Sequence, residues 1–392
     1  MKSFDLDRAR RETPGCGNVM HFNNAGAALM PEPVLAAVTA HLSLEAMTGG
    51  YEAKARAVEK IEHVYDALGK MLNCQRDELA IIENATRAWD MAFYSIPLGP
   101  GDRILTAVAE YASNYIAYLQ VARRTGAIID VVPDDEHGQL SVEALRRIMD
   151  DRVKLIAITH VPTNNGLVNP AAEVGKVARE AGVLYLLDAC QSAGQMPLDV
   201  AEIGCDMLSG TGRKYLRGPR GTGFLYVRRE RIEELEPPFL DLHAAELTGR
   251  DDFKIRPDAR RFENWETNFA GKIGLGVAVD YAMEWGLDII RERINSLAGM
   301  LRARLGDMPG VTVRDRGAEK CGIVCFTVEG KSSDEVRRSL GERGINVWVA
   351  QQRDTRLDAE GRSLPDLVRA SVHYYNSEAE IACLCDALAS GI

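Results

Sequence analysis

The sequence lacks several features that would assign a class at once. No apolar run approaches the roughly 20 residues that span a bilayer, so a soluble chain with no membrane partner is expected. Positive charge is short: 47 Lys and Arg stand against 57 Asp and Glu, a formal charge of −10. That balance lacks the basic face that displaces counterions from a nucleic acid, but it leaves room for a local cationic pocket that takes a small anion. The eight cysteines, at 16, 74, 190, 205, 321, 325, 383 and 385, are thinly spread. Cys321-x3-Cys325 and Cys383-x-Cys385 have neither the two-residue gap nor the histidine partner of a zinc site, so no metal is expected. The opening MKSFDLDRARRE is not a basic and apolar leader. Reduced cysteines in a cytoplasmic setting are therefore expected rather than a disulfide framework. Internal repeats, heptads and low-complexity tracts are absent too. Aromatic residues make up only 6%, yet the hydrophobic share of 46% excludes bulk disorder.

What is there reads as an α/β protein. Apolar runs at 79–82, 103–108, 128–132, 154–160, 183–187 and 223–227 have the length of buried strands. Helical patterns at 111–125, 141–149 and 171–181 lie between them. Continuous apolar strands joined by helical crossovers imply a mostly parallel sheet covered on both faces, with ligands at the strands' carboxyl ends. The texture changes after about residue 281. A long amphipathic helix over 274–306 leads into strands at 310–313, 322–328, 345–349 and 367–373 and helices at 333–343 and 377–389, while the polar stretch 350–365 reads as a loop. At 392 residues, two domains are expected. They divide as an N-terminal arm over 1–20 packing on the small domain, a large cofactor-binding domain over 21–280, and a small α+β domain over 281–392.

Four signals stand at strand ends. Glu83-Asn-Ala-Thr-Arg-Ala-Trp89 turns from strand to helix, and free amides there with the Thr86 hydroxyl suit a phosphate, or simply cap the helix. Asp188-Ala-Cys-Gln191 puts a carboxylate at the end of a buried strand, where it needs a cationic partner, such as a protonated pyridine nitrogen, unless it serves as a cap. In Ser209-Gly-Thr-Gly-Arg-Lys214, followed by Gly218-Pro-Arg-Gly-Thr-Gly223, a desolvated lysine among small residues is primed to form an imine. A nucleotide loop is the alternative, but the Gly-x4-Gly-Lys-Ser/Thr order is absent. Arg369, in Val368-Arg-Ala-Ser-Val-His373, is a lone cation in an apolar strand, either a salt bridge or a fork for a carboxylate. Together they fit one ligand, pyridoxal 5′-phosphate.

With these motifs the chain resembles the class V aminotransferase group of pyridoxal-phosphate enzymes, in the branch of cysteine desulfurases and selenocysteine lyases. The resemblance runs from His21-Phe-Asn-Asn-Ala-Gly-Ala-Ala28 to the Arg369 strand, and Asp188-x-x-Gln191 with Thr211-Gly-Arg-Lys214 carries it. It implies the type I fold of pyridoxal-phosphate-dependent transferases, with a seven-stranded sheet in the large domain. It also implies Lys214 as the Schiff-base lysine, Asp188 on the pyridine nitrogen and Gln191 on the ring hydroxyl. Ala85, Thr86, Arg87, Thr211 and Arg213 would hold the phosphate, and Arg369 the substrate's α-carboxylate. The family is dimeric, and a segment like Arg261-Phe-Glu-Asn-Trp-Glu-Thr-Asn268 reaches the partner's phosphate; here Thr267 and Glu266 compete for that place.

The departures matter equally. The family's ring-stacking histidine is replaced in Ala109-Glu-Tyr-Ala-Ser-Asn114, so Tyr111 would stack, and the histidine before the lysine is Arg213. In His160-Val-Pro-Thr-Asn-Asn-Gly166, both Thr163 and Asn164 qualify for the family's asparagine, one on the substrate and the other on the cofactor. Desulfurases carry a loop cysteine in the second domain that takes up the substrate's sulfur. The corresponding Trp348-Val-Ala-Gln-Gln-Arg-Asp-Thr-Arg-Leu-Asp358 has none, and Arg353 within it is placed to read a second acidic group on the substrate. The expected activity is thus β-elimination from cysteine, cystine or an S-substituted cysteine, sulfoxides included, giving pyruvate and ammonia. An epimerase or aminotransferase of the same family is the alternative, ahead of a desulfurase and of a non-catalytic scaffold. Three histidines, 41, 63 and 137, read as solvated.

Overall fold

The apolar runs assemble into one seven-stranded sheet in the computed structural model, which describes residues 4–390. Its strands are β1 (Leu79–Ile82), β2 (Arg103–Ala107), β3 (Ile128–Val132), β4 (Val153–Thr159), β5 (Leu184–Asp188), β6 (Met207–Thr211) and β7 (Gly223–Val227). The spatial order is β1-β7-β6-β5-β4-β2-β3. Only β7 runs against its neighbours, so the sheet is mostly parallel, as expected. Strand β6 is the one the apolar pattern missed, because Ser209, Gly210 and Thr211 make it look like loop.

Successive side chains along a strand point to opposite faces, and here both faces are buried. Ala80, Leu155, Ala157, Leu186 and Leu225 pack on one side with the stacked Trp89 and Phe93, whose rings lie 4.7 Å apart, and with Tyr118. Leu79, Ile81, Ile156, Ile158, Tyr185, Leu187 and Phe224 pack on the other, under the helices Val58–Leu72, Ala171–Ala181 and Phe269–Trp285. A buried side chain of this size contributes roughly 1.5–3 kcal/mol, so the double-sided core holds the strand ends in place.

A second sheet of four antiparallel strands, β8 (Val311–Val313), β9 (Ile323–Val328), β10 (Trp348–Ala350) and β11 (Leu367–Ser371), has the order β8-β9-β11-β10. The N-terminal segment lies against the chain's second half. Arg10 donates to Glu380 at 2.8 Å and Arg8 to Glu284 at 2.6 Å, the Phe4 ring meets Trp285, and Met20–His21 pairs with Ile345–Asn346.

Three sequence expectations need correction. The single helix over 274–306 is two, Phe269–Trp285 and Leu287–Gly306, broken at Gly286, whose φ of 86° lies in the left-handed region that favours glycine. The stretch 350–365 is not simply loop: it holds a 3-10 turn, Gln352–Thr355, and a helix, Arg356–Gly361. One of its acids, Asp358, is buried between Arg362 and Asn165, while Arg353, Arg356 and Glu360 stay exposed. His41 is not solvated but 4% exposed, its Nε2 3.1 Å from Glu45 one helical turn on. Among the described residues no helix is long and apolar enough to cross a membrane.

Candidate active site

The carboxyl ends of β1, β2, β4, β5 and β6 converge on one cavity lined by Asn84, Ala85, Thr86, Tyr111, Thr163, Asp188, Cys190, Gln191, Thr211, Arg213 and Lys214. One end of it is the start of the helix Ala85–Phe93. Asn84 caps that helix by accepting from the Arg87 N–H at 2.9 Å, and the first amides, at Ala85 and Thr86, have no partner within the helix. Gly223 of β7 lets the turn come this close: a Cβ there would lie 2.6 Å from the Asn84 carbonyl carbon and 2.8 Å from the Ala85 nitrogen. The Thr211 hydroxyl, across the mouth, donates to the Thr222 carbonyl at 3.3 Å.

Asp188, at the tip of β5, is 5% exposed and among the described residues pairs with no cation. Its Oδ1 accepts from the Cys190 N–H at 2.9 Å and its Oδ2 from Asn114 Nδ2 at 3.1 Å. Gln191 Nε2 donates to the Ala25 carbonyl at 3.1 Å, while its Oε1 is buried without a partner. Lys214 makes no hydrogen bond or ion pair among the described residues. Desolvation lowers its ammonium pKa, and Arg213 and Arg369 lower it further, against the opposing pull of Cys190 and Asp188. Arg213 donates to the Gly26 carbonyl. Burial, and then Asp188 beside it, push the Cys190 thiol well above its usual range, so it stays protonated.

Arg369, on β11, reaches in from the second sheet. It is 5% exposed, donates from Nη1 to the Thr163 carbonyl at 3.1 Å and hydroxyl at 2.6 Å, and keeps a buried Nε with no partner. A buried guanidinium with a free edge is built for an incoming carboxylate. Asn164 turns from the cavity toward the second half of the chain, where its Nδ2 donates to Thr355 at 2.8 Å and its Oδ1 stays buried and unpartnered. The segment without a cysteine therefore packs on the substrate end through Thr355.

Not every residue singled out in the sequence gathers here. The Arg87 side chain turns outward to Glu83 and Asp90, both at 3.6 Å, and over the Phe239 ring. Arg353 is exposed on the 3-10 turn. Thr267 and Glu266 line a separate surface cleft with Glu83, Thr222 and Asn268. The sequence reading missed Glu110 and Asn114, which lie buried behind Asp188. The signal that found Asp188, an acid just past a buried strand, was equally present in Ala109-Glu110 after β2.

The orphaned buried atoms fit a phosphorylated pyridine aldehyde with an amino acid: an amine without a carboxylate partner, a carboxylate without a cation, a free guanidinium edge and a helix start. Comparison with known proteins agrees. The aminotransferase class-V family model matches residues 20–384. A protein named as a probable cysteine desulfurase from Xylella fastidiosa (strain Temecula1) is 33% identical over 405 residues, covering 98% of this chain and 95% of its own length. The apo structure of a cysteine desulfurase from Thermococcus onnurineus NA1 superposes with a TM-score of 0.91 at 25% identity, over 98% of this chain and 97% of that one. The cystine C-S lyase C-DES, in complex with its reaction product cysteine persulfide, gives 0.87 at 25% identity, over 96% and 99%. Fold, cavity and family model lead to one conclusion: the chain belongs to the class-V aminotransferase family.

Proposed function

We propose that this chain is a pyridoxal-phosphate-dependent carbon–sulfur lyase that removes the sulfur substituent of cysteine, cystine or an S-substituted cysteine by β-elimination. Bound pyridoxal 5′-phosphate supplies an aldehyde that condenses with amines and a ring that takes up the electrons released at the substrate's Cα. Thr86, Thr211, Arg213 and the first amides of the helix Ala85–Phe93 hold its phosphate. Tyr111, 36% exposed at the cavity wall, covers a ring face. Asp188 holds the pyridine nitrogen's proton, and Gln191 meets the ring hydroxyl.

Lys214 Nζ would hold the aldehyde carbon. Arg369 takes the α-carboxylate on its free edge, with Thr163 steadying the guanidinium. The lysine amine, its proton affinity lowered by burial, would take the α-proton. The Cα–H and Cβ–S bonds break, a Cα–Cβ double bond forms, and the sulfur group leaves with the Cβ–S electron pair. The aminoacrylate released then hydrolyses to pyruvate and ammonia. The exposed apolar side chains Leu35, Leu42, Met47 and Tyr51 support a homodimer, and the cleft at Thr267 and Glu266 supports contact with the other copy's phosphate.

One observation carries the lyase reading over a desulfurase. The segment packed on the substrate end presents Thr355 against Asn164 and no thiol, and the only cysteine lining the cavity among the described residues, Cys190, is held protonated beside Asp188. The test is to incubate the cofactor-loaded enzyme with S-substituted cysteines in deuterated water. Pyruvate is the expected product. Deuterium entering Cα without pyruvate overturns elimination in favour of epimerisation.

A further inference from the structure

The chemistry above uses Asp188 but not the carboxyl group behind it. Glu110, just past β2, is 2% exposed. Its Oε1 accepts from the Tyr111 N–H at 2.8 Å, from Asn114 Nδ2 at 3.0 Å and from the Thr159 hydroxyl. Its Oε2 accepts from the Thr106 hydroxyl at 2.9 Å and, at longer range, from Tyr118 at 3.4 Å. No Lys, Arg or His pairs with it among the described residues. The Asn114 nitrogen that serves Glu110 also serves Asp188 Oδ2 at 3.1 Å, so one side-chain NH2 ties two buried carboxyl groups together.

A buried carboxylate with no cation, set beside a second carboxylate, is costly to stability. The donors around Glu110 nevertheless belong to the site: Tyr111 and Thr159 line the cavity, and Asn114 holds Asp188. We propose that Glu110 is a positioning residue for the cofactor ring: through Asn114 it fixes Asp188 and adds a second negative charge behind it, and through the Tyr111 N–H it sets the aromatic cover. The inference rests on the cofactor assignment and not on whether elimination or another outcome follows.

The groups facing Glu110 decide how it titrates. Asp188 on β5 and Tyr118 on the helix Ala112–Thr125 are the ionisable ones, and Thr106, Thr159 and Asn114 are neutral. Burial, and then Asp188, push the carboxyl up to about 7, against the Thr159 and Asn114 hydrogen bonds. When protonated, Glu110 gives its O–H to Thr106 or Tyr118, whose hydroxyls can turn to accept it. When ionised, it raises the proton affinity of whatever Asp188 faces.

The test is absorbance of the cofactor-loaded protein between about pH 5 and 9, for the natural chain and Glu110→Gln. The natural chain should show a spectral step near pH 7. In the variant that step should vanish, and the cofactor's main titration should move down by roughly half a pH unit or more, because a negative charge has gone. Apoprotein unfolding gives a second readout. A carboxyl with a folded pKa above its unfolded value binds more protons when folded, so its contribution to stability falls as pH rises from about 4 to about 7 and then levels off. Glu110→Gln should remove that slope, which reports the buried carboxyl's own titration, while the positioning role is read from the holoenzyme spectrum. If Glu110→Gln does not fold, Thr159→Val, which removes one donor from Oε1, should move the near-neutral step upward. A coloured holoenzyme whose titration ignores both substitutions overturns this inference alone; a chain that takes up no cofactor overturns the cofactor assignment with it.

Discussion

Lys214 and Arg369 are buried cations of a kind that structure alone does not require, since among the described residues neither has a carboxylate partner in hydrogen-bond contact. Desolvation therefore acts unopposed by an ion pair and pushes the Lys214 ammonium toward the neutral amine that nucleophilic and basic chemistry needs. Lys214→Ala is expected to remove the cofactor's covalent absorbance band and to lower turnover by about 10³-fold or more, while the thermal midpoint of the apoprotein holds or rises. A variant that keeps both the band and the turnover would show that another residue performs this step. Asp188 and Arg369 were legible from sequence because a charge at the end of or inside an apolar run is conspicuous, and Lys214 because it stands among small residues before a glycine-rich turn. Glu110 carried the same kind of signal, an acid past a buried strand, but its burial and that of Asn114 become apparent only when the helix Ala112–Thr125 closes over the end of β2.

Elements, more than single residues, bring the site together. Five parallel strands end at one edge of the sheet, and the antiparallel β7 passes beneath the cofactor turn with Gly223 at its first position. Gly223→Ala adds a methyl group against the Asn84 and Ala85 backbone and must push the helix start away from the phosphate. The expected outcome is a destabilisation of about 1–3 kcal/mol, typical of overpacking, with cofactor affinity down roughly tenfold, read by thermal melting and equilibrium dialysis. An unchanged affinity would mean that the turn does not carry the phosphate. The strand and helix positions were largely readable from apolar periodicity. The failures have physical causes: β6 is rich in Ser, Gly and Thr; the helix break at Gly286 lies inside an otherwise continuous pattern; and the polar stretch 350–365 is pinned by Asp358 on Asn165 and Arg362 and by the Gln352 N–H on Asp366, contacts that come from distant parts of the chain or lie outside a simple periodicity.

Across the whole molecule, two sheets contribute different halves of the chemistry. The seven-stranded sheet offers Asp188, Lys214 and the helix start proposed to hold the phosphate, and the four-stranded sheet brings Arg369, proposed to bind the carboxylate, with the Thr355 segment beside it. The acidic balance of the chain thus surrounds a small cationic pocket. The cysteines matter by position: among the described residues none lies on the segment that packs over the substrate end. The central claim is that sulfur leaves the substrate without passing through a protein thiol. Its most direct test is one reaction of the cofactor-loaded enzyme with cysteine or an S-substituted cysteine, in which the organic product and the intact mass of the chain are followed together. The account predicts that pyruvate accumulates while the chain's mass stays unchanged; alanine as the product, with added sulfur on the chain, would contradict it.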